Sequence, residues 1–254
     1  MKIVIAGGTG MVGKYVVEAA IAGGHDAVVL SRSSGVDLRR DGGLDEMLKG
    51  VDVIIDATNP ATTNRAKATA FFTDVTARLQ AIGSAQGVGR LVTLSIVGID
   101  RVGGFGYYQA KLAQEQAALA GPLPVTIVRA TQFHEFPSQI LSRFRLGPLG
   151  AVPAMRVQPV AARSVGHYLV DVALAPPSAQ IVEVAGPQAE DLVAMARAFV
   201  KKRGKGGRII PLVMPGAVGK ALRGGALLAG PETRLVGPTF AEWLDSVDAQ
   251  PSIF

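Results

Sequence analysis

The sequence predicts an α/β fold: a doubly wound parallel sheet with helices on both faces and a smaller C-terminal part. Three observations predict it. Short apolar runs alternate with amphipathic stretches through the first half of the chain, the pattern of parallel strands joined by helical crossovers. The first run, Lys2-Ile3-Val4-Ile5-Ala6, passes directly into Gly7-Gly8-Thr9-Gly10-Met11-Val12-Gly13 and then into a helix-like stretch. The 254 residues suffice for one large domain, or for a core with an appendage. We expect residues 1–150 to form the core and residues 151–254 a smaller part integrated in the same domain.

The elements follow in order. Met11 to Ala22 reads as the first helix, stopped by Gly23-Gly24, and Ala27-Val28-Val29-Leu30 as the second strand. Gly35-Val36-Asp37-Leu38 returns the chain to the sheet edge, and a short helix lies around Leu44 to Leu48. Val51 to Asp56 is apolar enough for a strand buried on both faces. In Ala66 to Ile82, Ala68, Phe71, Val75, Leu79 and Ile82 recur at helical spacing and form a core stripe. Arg90 to Ile96 is the fourth strand, a helix begins near Tyr107, and Val125-Thr126-Ile127-Val128 is the fifth strand. Beyond it the alternation weakens. Ser138 to Leu146, Arg163 to Leu174 and Leu192 to Val200 read as helices, Gly147-Pro148-Leu149-Gly150 as a loop, and Val157 to Ala161 and Ile181 to Val184 as short strands. Thr239-Phe240-Ala241-Glu242 has the capping-box pattern of a helix start, with Trp243 and Leu244 placed to dock on the core.

Composition narrows the functional classes. There is no cysteine, so disulfides, thiolate metal sites and a cysteine nucleophile are excluded. His25, His134 and His167 lack ligand spacing, and no metal is expected. No apolar run approaches the roughly 18 residues that span a bilayer, and Met1-Lys2 enters a strand, which predicts a soluble, cytoplasmic chain without a membrane partner. The net charge is +6, but most basic residues are dispersed. The one cluster, Lys201 to Arg208, reads as a helix end followed by a loop, and it lacks the interleaved aromatics that stack on bases, so no nucleic-acid partner is expected. Homodimers are common for this fold class, although no stretch marks an interface.

The glycine turn carries the first functional signal. Gly7, Gly10 and Gly13 are spaced so that a chain leaving a strand turns sharply, presents backbone N–H groups to a phosphate, and starts a helix whose positive end faces the anion. Thr9, Met11 and Val12 complete this phosphate-binding turn. In an NAD-preferring Rossmann unit an acidic residue about 20 positions further on takes the ribose hydroxyls. Here Ser31 and Arg32 occupy that strand end, which removes a repelling carboxylate and adds a guanidinium suited to a 2′-phosphate, so NADP(H) is preferred over NAD(H). Ala57 and Thr58, small residues at a later strand end, leave room for a ribose.

The second signal is a possible proton-transfer set. Tyr107 and Lys111 lie four apart, one turn along one helix face. A tyrosine titrates near pH 10, and a neighbouring ammonium brings it into use as an acid or base. Lys111 is also placed to bond a cofactor ribose, and Ser95, at a strand end, to orient a substrate carbonyl. His134 and Glu135 read equally as pocket lining or as a surface pair, and Phe105, Phe133 and Phe136 as a wall for a flat substrate or as core packing.

The glycine turn, Ser95-x-x-Gly98 and Tyr107-x-x-x-Lys111 resemble, in order and spacing, the short-chain dehydrogenase/reductase superfamily over most of the chain. Gly-Gly-Thr-Gly-x-x-Gly, Leu94 to Gly98 and Arg129 to Phe136 look like its atypical, NmrA-like NAD(P)H-binding branch. The resemblance implies that Gly7, Gly10 and Gly13 hold the diphosphate, Ser31 and Arg32 the 2′-phosphate, Asp37 and Leu38 the adenine, Ala57 and Thr58 the ribose, and Lys111 the nicotinamide ribose. It further implies Thr131, Gln132 and Phe133 beside the nicotinamide, with Tyr107 as proton donor and Ser95 positioning the substrate oxygen. The pocket would include Phe105, His134 and Phe136. Ala57-Thr58-Asn59-Pro60 departs from the superfamily's Asn-Asn-Ala-Gly strand-end motif. Because the branch contains both reductases of quinones or carbonyls and non-catalytic NADP(H)-sensing regulators that bind a partner protein, both activities are implied.

Overall fold

The computed structural model describes residues 1–40, 42–62, 64–146, 149–176, 179–204 and 207–249. The chain begins with β1 (Lys2–Ala6), α1 (Gly13–Ala22), β2 (Asp26–Leu30), α2 (Leu44–Met47), β3 (Val53–Asp56), α3 (Arg65–Ala85) and β4 (Arg90–Ile96). It continues through α4 (Gly106–Leu119), β5 (Val125–Ala130), α5 (Phe136–Arg143), β6 (Arg145–Leu146), β7 (Leu149–Pro153) and β8 (Arg156–Val157). The remainder is α6 (Ala162–Leu174), β9 (Ile181–Ala185), β10 (Glu190–Asp191), α7 (Leu192–Lys202), β11 (Arg208–Leu212), α8 (Gly216–Arg223), β12 (Arg234–Leu235) and α9 (Phe240–Asp245). Among the described residues the main sheet is parallel, in the order β12-β9-β5-β4-β3-β1-β2. Helices flank it, as the alternating pattern requires. No helix of the described residues is long and apolar enough to cross a membrane.

The chain divides into two compact units. The first comprises residues 1–96, 105–129 and 163–182. Its core is built from the inward residues of β1, β3 and β4 (Val4, Ile54, Leu91) against Val75 and Leu79 of α3 and Ala118 of α4. Register in the β1–β3 pair sets Ala6 opposite Asp56, so both strands end at one level and deliver their loops to the same carboxyl edge. Gly166 on α6 lets that helix approach α1: a Cβ there would lie 2.6 Å from the Tyr15 Cβ. Glu115 of α4 takes a two-pronged bond from the Arg129 guanidinium at 2.9 and 2.7 Å, and both side chains are buried. Breaking such a pair leaves an uncompensated interior charge, so it fixes the end of β5 to α4.

The second unit comprises residues 97–104, 130–162 and 183–254. Here β11, β7 and β6 form a small sheet, with α5 and α7 packed on it through buried Leu141, Val152, Ala196 and Phe199. Thr239 caps α9 as its sequence predicts: Thr239 Oγ1 accepts from Glu242 N at 3.2 Å while the Glu242 carboxylate accepts from Thr239 N at 2.8 Å. Trp243, 2% exposed, docks as expected. Replacing Thr239 with Ala removes one side of this exchange and is expected to lower stability by about 1 kcal/mol, seen as a reduced midpoint of thermal unfolding.

Several sequence expectations are corrected. The first helix starts at Gly13 rather than Met11, because Met11 and Val12 complete the turn. Gly35 to Leu38, expected to return the chain to the sheet edge, carries no sheet pairing; Val36 and Leu38 pack in the core cluster with Leu44. Phe72, not Phe71, is the fully buried aromatic of α3, and Ile82 is only partly buried. The helix expected to reach Leu146 ends at Arg143, since Arg145 and Leu146 pair with β7. Of the loop expected at residues 147–150, Leu149 and Gly150 belong to β7, and residues 147 and 148 lie outside the described residues. The strand expected from Val157 to Ala161 shrinks to β8 and one bridge between Val160 and Phe133. Arg208, read as loop, opens β11.

Candidate active site

The glycine turn is a closed backbone knot. Gly10 N bonds Gly7 O at 2.8 Å and Lys14 N bonds Gly10 O at 3.1 Å, bringing α1 back over the end of β1. Gly7 has φ +78°, and a Cβ on it would lie 2.8 Å from Ala57 O and 3.0 Å from Thr58 Cα. One on Gly13 would lie 2.1 Å from Gly7 O. At Gly10 the nearest obstacle is Gly7 O at 3.1 Å. Gly7 and Gly13 are therefore required for the turn to close, whereas Gly10, exposed with Thr9, has its backbone groups bonded within the turn and presents a face without a side chain to the outside.

Beside this turn, hydroxyls form a string. Ser31 Oγ and Ser33 Oγ are 2.9 Å apart, and Ser33 Oγ donates to Thr9 Oγ1 at 3.5 Å. Arg32 is exposed in the helical turn that follows β2. Asp37 is occupied locally, accepting from Arg39 N at 3.0 Å and pairing with Arg40 at 3.4 Å. The Leu38 side chain is buried in the core cluster. Ala57 is half-buried and Thr58 buried, directly against Gly7.

Tyr107, Lys111 and Ser95 also belong to the first unit. Tyr107 and Lys111 lie one turn apart on α4. The Tyr107 hydroxyl donates to Asn59 Oδ1 at 2.9 Å, and its ring lies 6.1 Å from that of Phe72. Lys111, 4% exposed, donates from Nζ to Leu94 O at 2.7 Å and to Gln114 Oε1, with Nζ 4.5 Å from the Phe72 ring centroid. Burial pulls its pKa down to about 8, against the opposing pull of the Asp56 and Glu115 carboxylates. Ser95 follows Leu94 at the end of β4. Its Oγ is buried without a hydrogen-bond partner among the described residues, as is the Thr93 Oγ1 two positions earlier on the same strand. Tyr108 is a different case: burial first, and then Tyr107 beside it, push its pKa up, so it is no proton donor near neutral pH.

Asp56, Asn59 and Gln114 were not singled out from the sequence. Asp56 is 0% exposed and ends the otherwise apolar run of β3. A carboxylate in that position must be fully hydrogen-bonded, and this was the available signal. Gln114 is three residues past Lys111 on the same helix face.

The remaining predicted residues lie in the second unit or at its sequence borders. Thr131 Oγ1 donates to Gln158 O at 2.5 Å, and Phe133 and Phe136 are half-buried. Phe105, 37% exposed, sets its ring 4.7 Å from that of Tyr108. His134 is 0% exposed, so it is not part of a surface pair. Its Nε2 lies 3.0 Å from Pro238 O and its ring stands beside Phe240 and Trp243. Burial pulls its pKa down to about 4, opposed by that carbonyl. The unfolded chain therefore takes up a proton near pH 6.5 that the folded chain refuses until about 4. Stability is lost as the pH falls through this window, by on the order of 3 kcal/mol. The unfolding midpoint should fall across this range, and His134→Phe should flatten that slope.

Comparison with known proteins agrees with this architecture. A sequence model of the NAD dependent epimerase/dehydratase family matches residues 3–98, the stretch from β1 through β4 and Gly98. No curated protein sequence matches the chain. Among solved structures, MoeE5 in complex with UDP-glucuronic acid and NAD is similar with a TM-score of 0.69 at 16% identity, over 96% of this chain and 98% of that one. The Citrobacter sp. triphenylmethane reductase complexed with NADP(H) aligns with a TM-score of 0.67 at 15% identity, over 91% and 93%. A short-chain dehydrogenase/reductase superfamily protein from Agrobacterium tumefaciens with bound NAD aligns with a TM-score of 0.65 at 16% identity, over 83% and 85%. At these identities the shared property is the fold, a Rossmann-type parallel sheet flanked by helices.

Proposed function

We propose that the chain is an NADP(H)-dependent oxidoreductase that reduces a carbonyl or quinone-type small molecule. The observation that carries this reading is the convergence of Tyr107, Lys111 and the unpartnered Ser95 hydroxyl at the carboxyl edge of the sheet whose first turn is the glycine knot. In open α/β sheets that edge is where ligands bind. The residues fit a dinucleotide: exposed Thr9 and Gly10 leave room for a diphosphate to lie close against the turn at the start of α1, and Ser31, Ser33 and Arg32 offer donors and a positive charge for a 2′-phosphate. The structural neighbours carry NADP(H) in the triphenylmethane reductase and NAD in the other two, so the choice rests on Ser31, Ser33 and Arg32 and on the motifs that resemble the NmrA-like branch.

Bound NADPH would supply the hydride. The chain's own residues supply the rest. Ser95 Oγ donates to the substrate oxygen and orients it. Tyr107 gives its proton to the same oxygen, so hydride and proton together convert a ketone to an alcohol or a quinone to a hydroquinone. Asn59 accepts from the Tyr107 hydroxyl and holds it in place until the substrate oxygen takes over as the acceptor of that proton. Lys111, held by Leu94 O and Gln114, keeps a further N–H for the ribose. NADPH oxidation followed over a panel of quinones, aldehydes and ketones tests the reading. Turnover on at least one member is expected, and binding of NADPH without oxidation on any member would contradict it.

A further inference from the structure

Asp56, Gln114 and Lys111 form one buried chain of hydrogen bonds with a defined polarity. Asp56 Oδ1 accepts from Thr58 N at 2.9 Å and from Thr58 Oγ1 at 2.6 Å. Its Oδ2 accepts from Gln114 Nε2 at 2.9 Å. Gln114 Oε1 in turn accepts from Lys111 Nζ, which also donates to Leu94 O at 2.7 Å. Asp56, Gln114 and Lys111 are 0, 1 and 4% exposed, so water does not substitute for a missing partner. An ionised carboxylate only accepts and an ammonium only donates. A glutamine between them satisfies both in one orientation: amide nitrogen toward Asp56, amide oxygen toward Lys111.

We propose that Asp56 is the positioning residue of this site, orienting the Gln114 amide so that the Lys111 ammonium is held at the end of β4 for the cofactor ribose. The proposal rests on the reading of Lys111 as the ribose lysine. Asp56 also bonds Thr58, the residue before Asn59, so one buried carboxylate anchors both the loop that meets Tyr107 and the amide that holds Lys111.

The polarity makes the idea testable by transposing a charge. In Asp56→Asn the new amide oxygen still serves the two Thr58 donors, and the new amide nitrogen faces Gln114. Gln114 must then either meet it donor to donor, or flip and turn its own nitrogen toward the Lys111 ammonium. Both remove the Asp56 charge that balances the ammonium, and the flip also takes away the amide oxygen that accepts from it. Adding Gln114→Glu restores the order, because the new carboxylate accepts from the amide at 56 and from Lys111. Net charge is unchanged from the parent.

The experiment measures two quantities in the parent, in Asp56→Asn and in the double variant: the Lys111 titration midpoint by ¹³Cε-lysine NMR, assigned with Lys111→Arg, and the NADPH dissociation constant. The expected result is a Lys111 midpoint lowered by about one pH unit or more in the single variant, with about tenfold weaker NADPH binding. In the double variant the midpoint returns to or above the parent value and NADPH binding recovers. An unchanged Lys111 midpoint in a folded Asp56→Asn would show that Asp56 only shapes the Thr58 loop, and would overturn the proposal. So would a folded double variant that leaves the midpoint low. Where Asp56→Asn fails to fold, Gln114→Met keeps the Asp56–Thr58 contact and cuts only the link to Lys111. It must lower the midpoint too, and an unmoved midpoint overturns the proposal. Failure of the parent to bind NADPH contradicts the proposed function but leaves the NMR comparison standing, so the two are separable.

Discussion

Tyr107→Phe is expected to reduce turnover by about 10²- to 10⁴-fold while leaving the NADPH dissociation constant near its parent value. The substitution removes one hydroxyl and retains a ring packed near Phe72 and Tyr108, at centroid separations of 6.1 and 6.4 Å. Lys111 takes its bonds from Leu94 O and Gln114, so the residue assigned to the ribose keeps its place. The effect therefore falls on the chemical step, as a drop in kcat with little change in KM for NADPH. Tyr108 does not replace the lost proton donor, because burial pushes its pKa up. Unchanged kcat with a carbonyl substrate would remove Tyr107 from the mechanism.

The glycine turn offers the second large effect, and two of its glycines are expected to fail differently. In Gly13→Ala the new Cβ falls 2.1 Å from Gly7 O and 2.8 Å from Gly8 Cα, both backbone, so the turn must open. Overpacking of this kind costs about 1–3 kcal/mol and should abolish dinucleotide binding along with it. In Gly10→Ala the nearest atom is 3.1 Å away, and the fold should hold with little change in unfolding midpoint. Its Cβ would nonetheless stand where a diphosphate must approach the backbone, so NADPH affinity should drop by about tenfold or more. Thermal unfolding and cofactor titration on both variants separate a structural glycine from a ligand-facing one. Gly10→Ala with full affinity would argue against a phosphate at this turn.

Where local pattern and tertiary packing agree, the sequence was easy to read. The β1 turn, the parallel strands through β5 and the Thr239 capping box all announce themselves, because buried strands are continuous apolar runs and caps need particular side chains. The small sheet of the second unit was missed. Pro153, Pro211 and Gly150 interrupt β7 and β11, and Ile210 and Leu212 are about half exposed, so neither a continuous apolar run nor a clean alternation appears. Phe71 and Phe72 are adjacent, and a stripe at intervals of three and four fits either nearly as well; packing under Lys111 selects Phe72. In the site, spacing alone reveals Tyr107 and Lys111 on one helix face. Asn59, Asp56 and Gln114 were not legible in that way, because the contacts linking Asn59 to Tyr107 and Gln114 to Asp56 join residues 48 and 58 positions apart.

The most direct test of the account is calorimetric titration of the purified chain with NADPH and, separately, with NADH. The glycine knot, the hydroxyl string from Ser31 to Thr9 and the exposed Arg32 predict binding of NADPH about tenfold or more tighter than NADH. Absence of binding by either nucleotide would contradict the assignment of Gly7 to Gly13 as a dinucleotide site, and with it the account of Tyr107 and Lys111 that is built upon it.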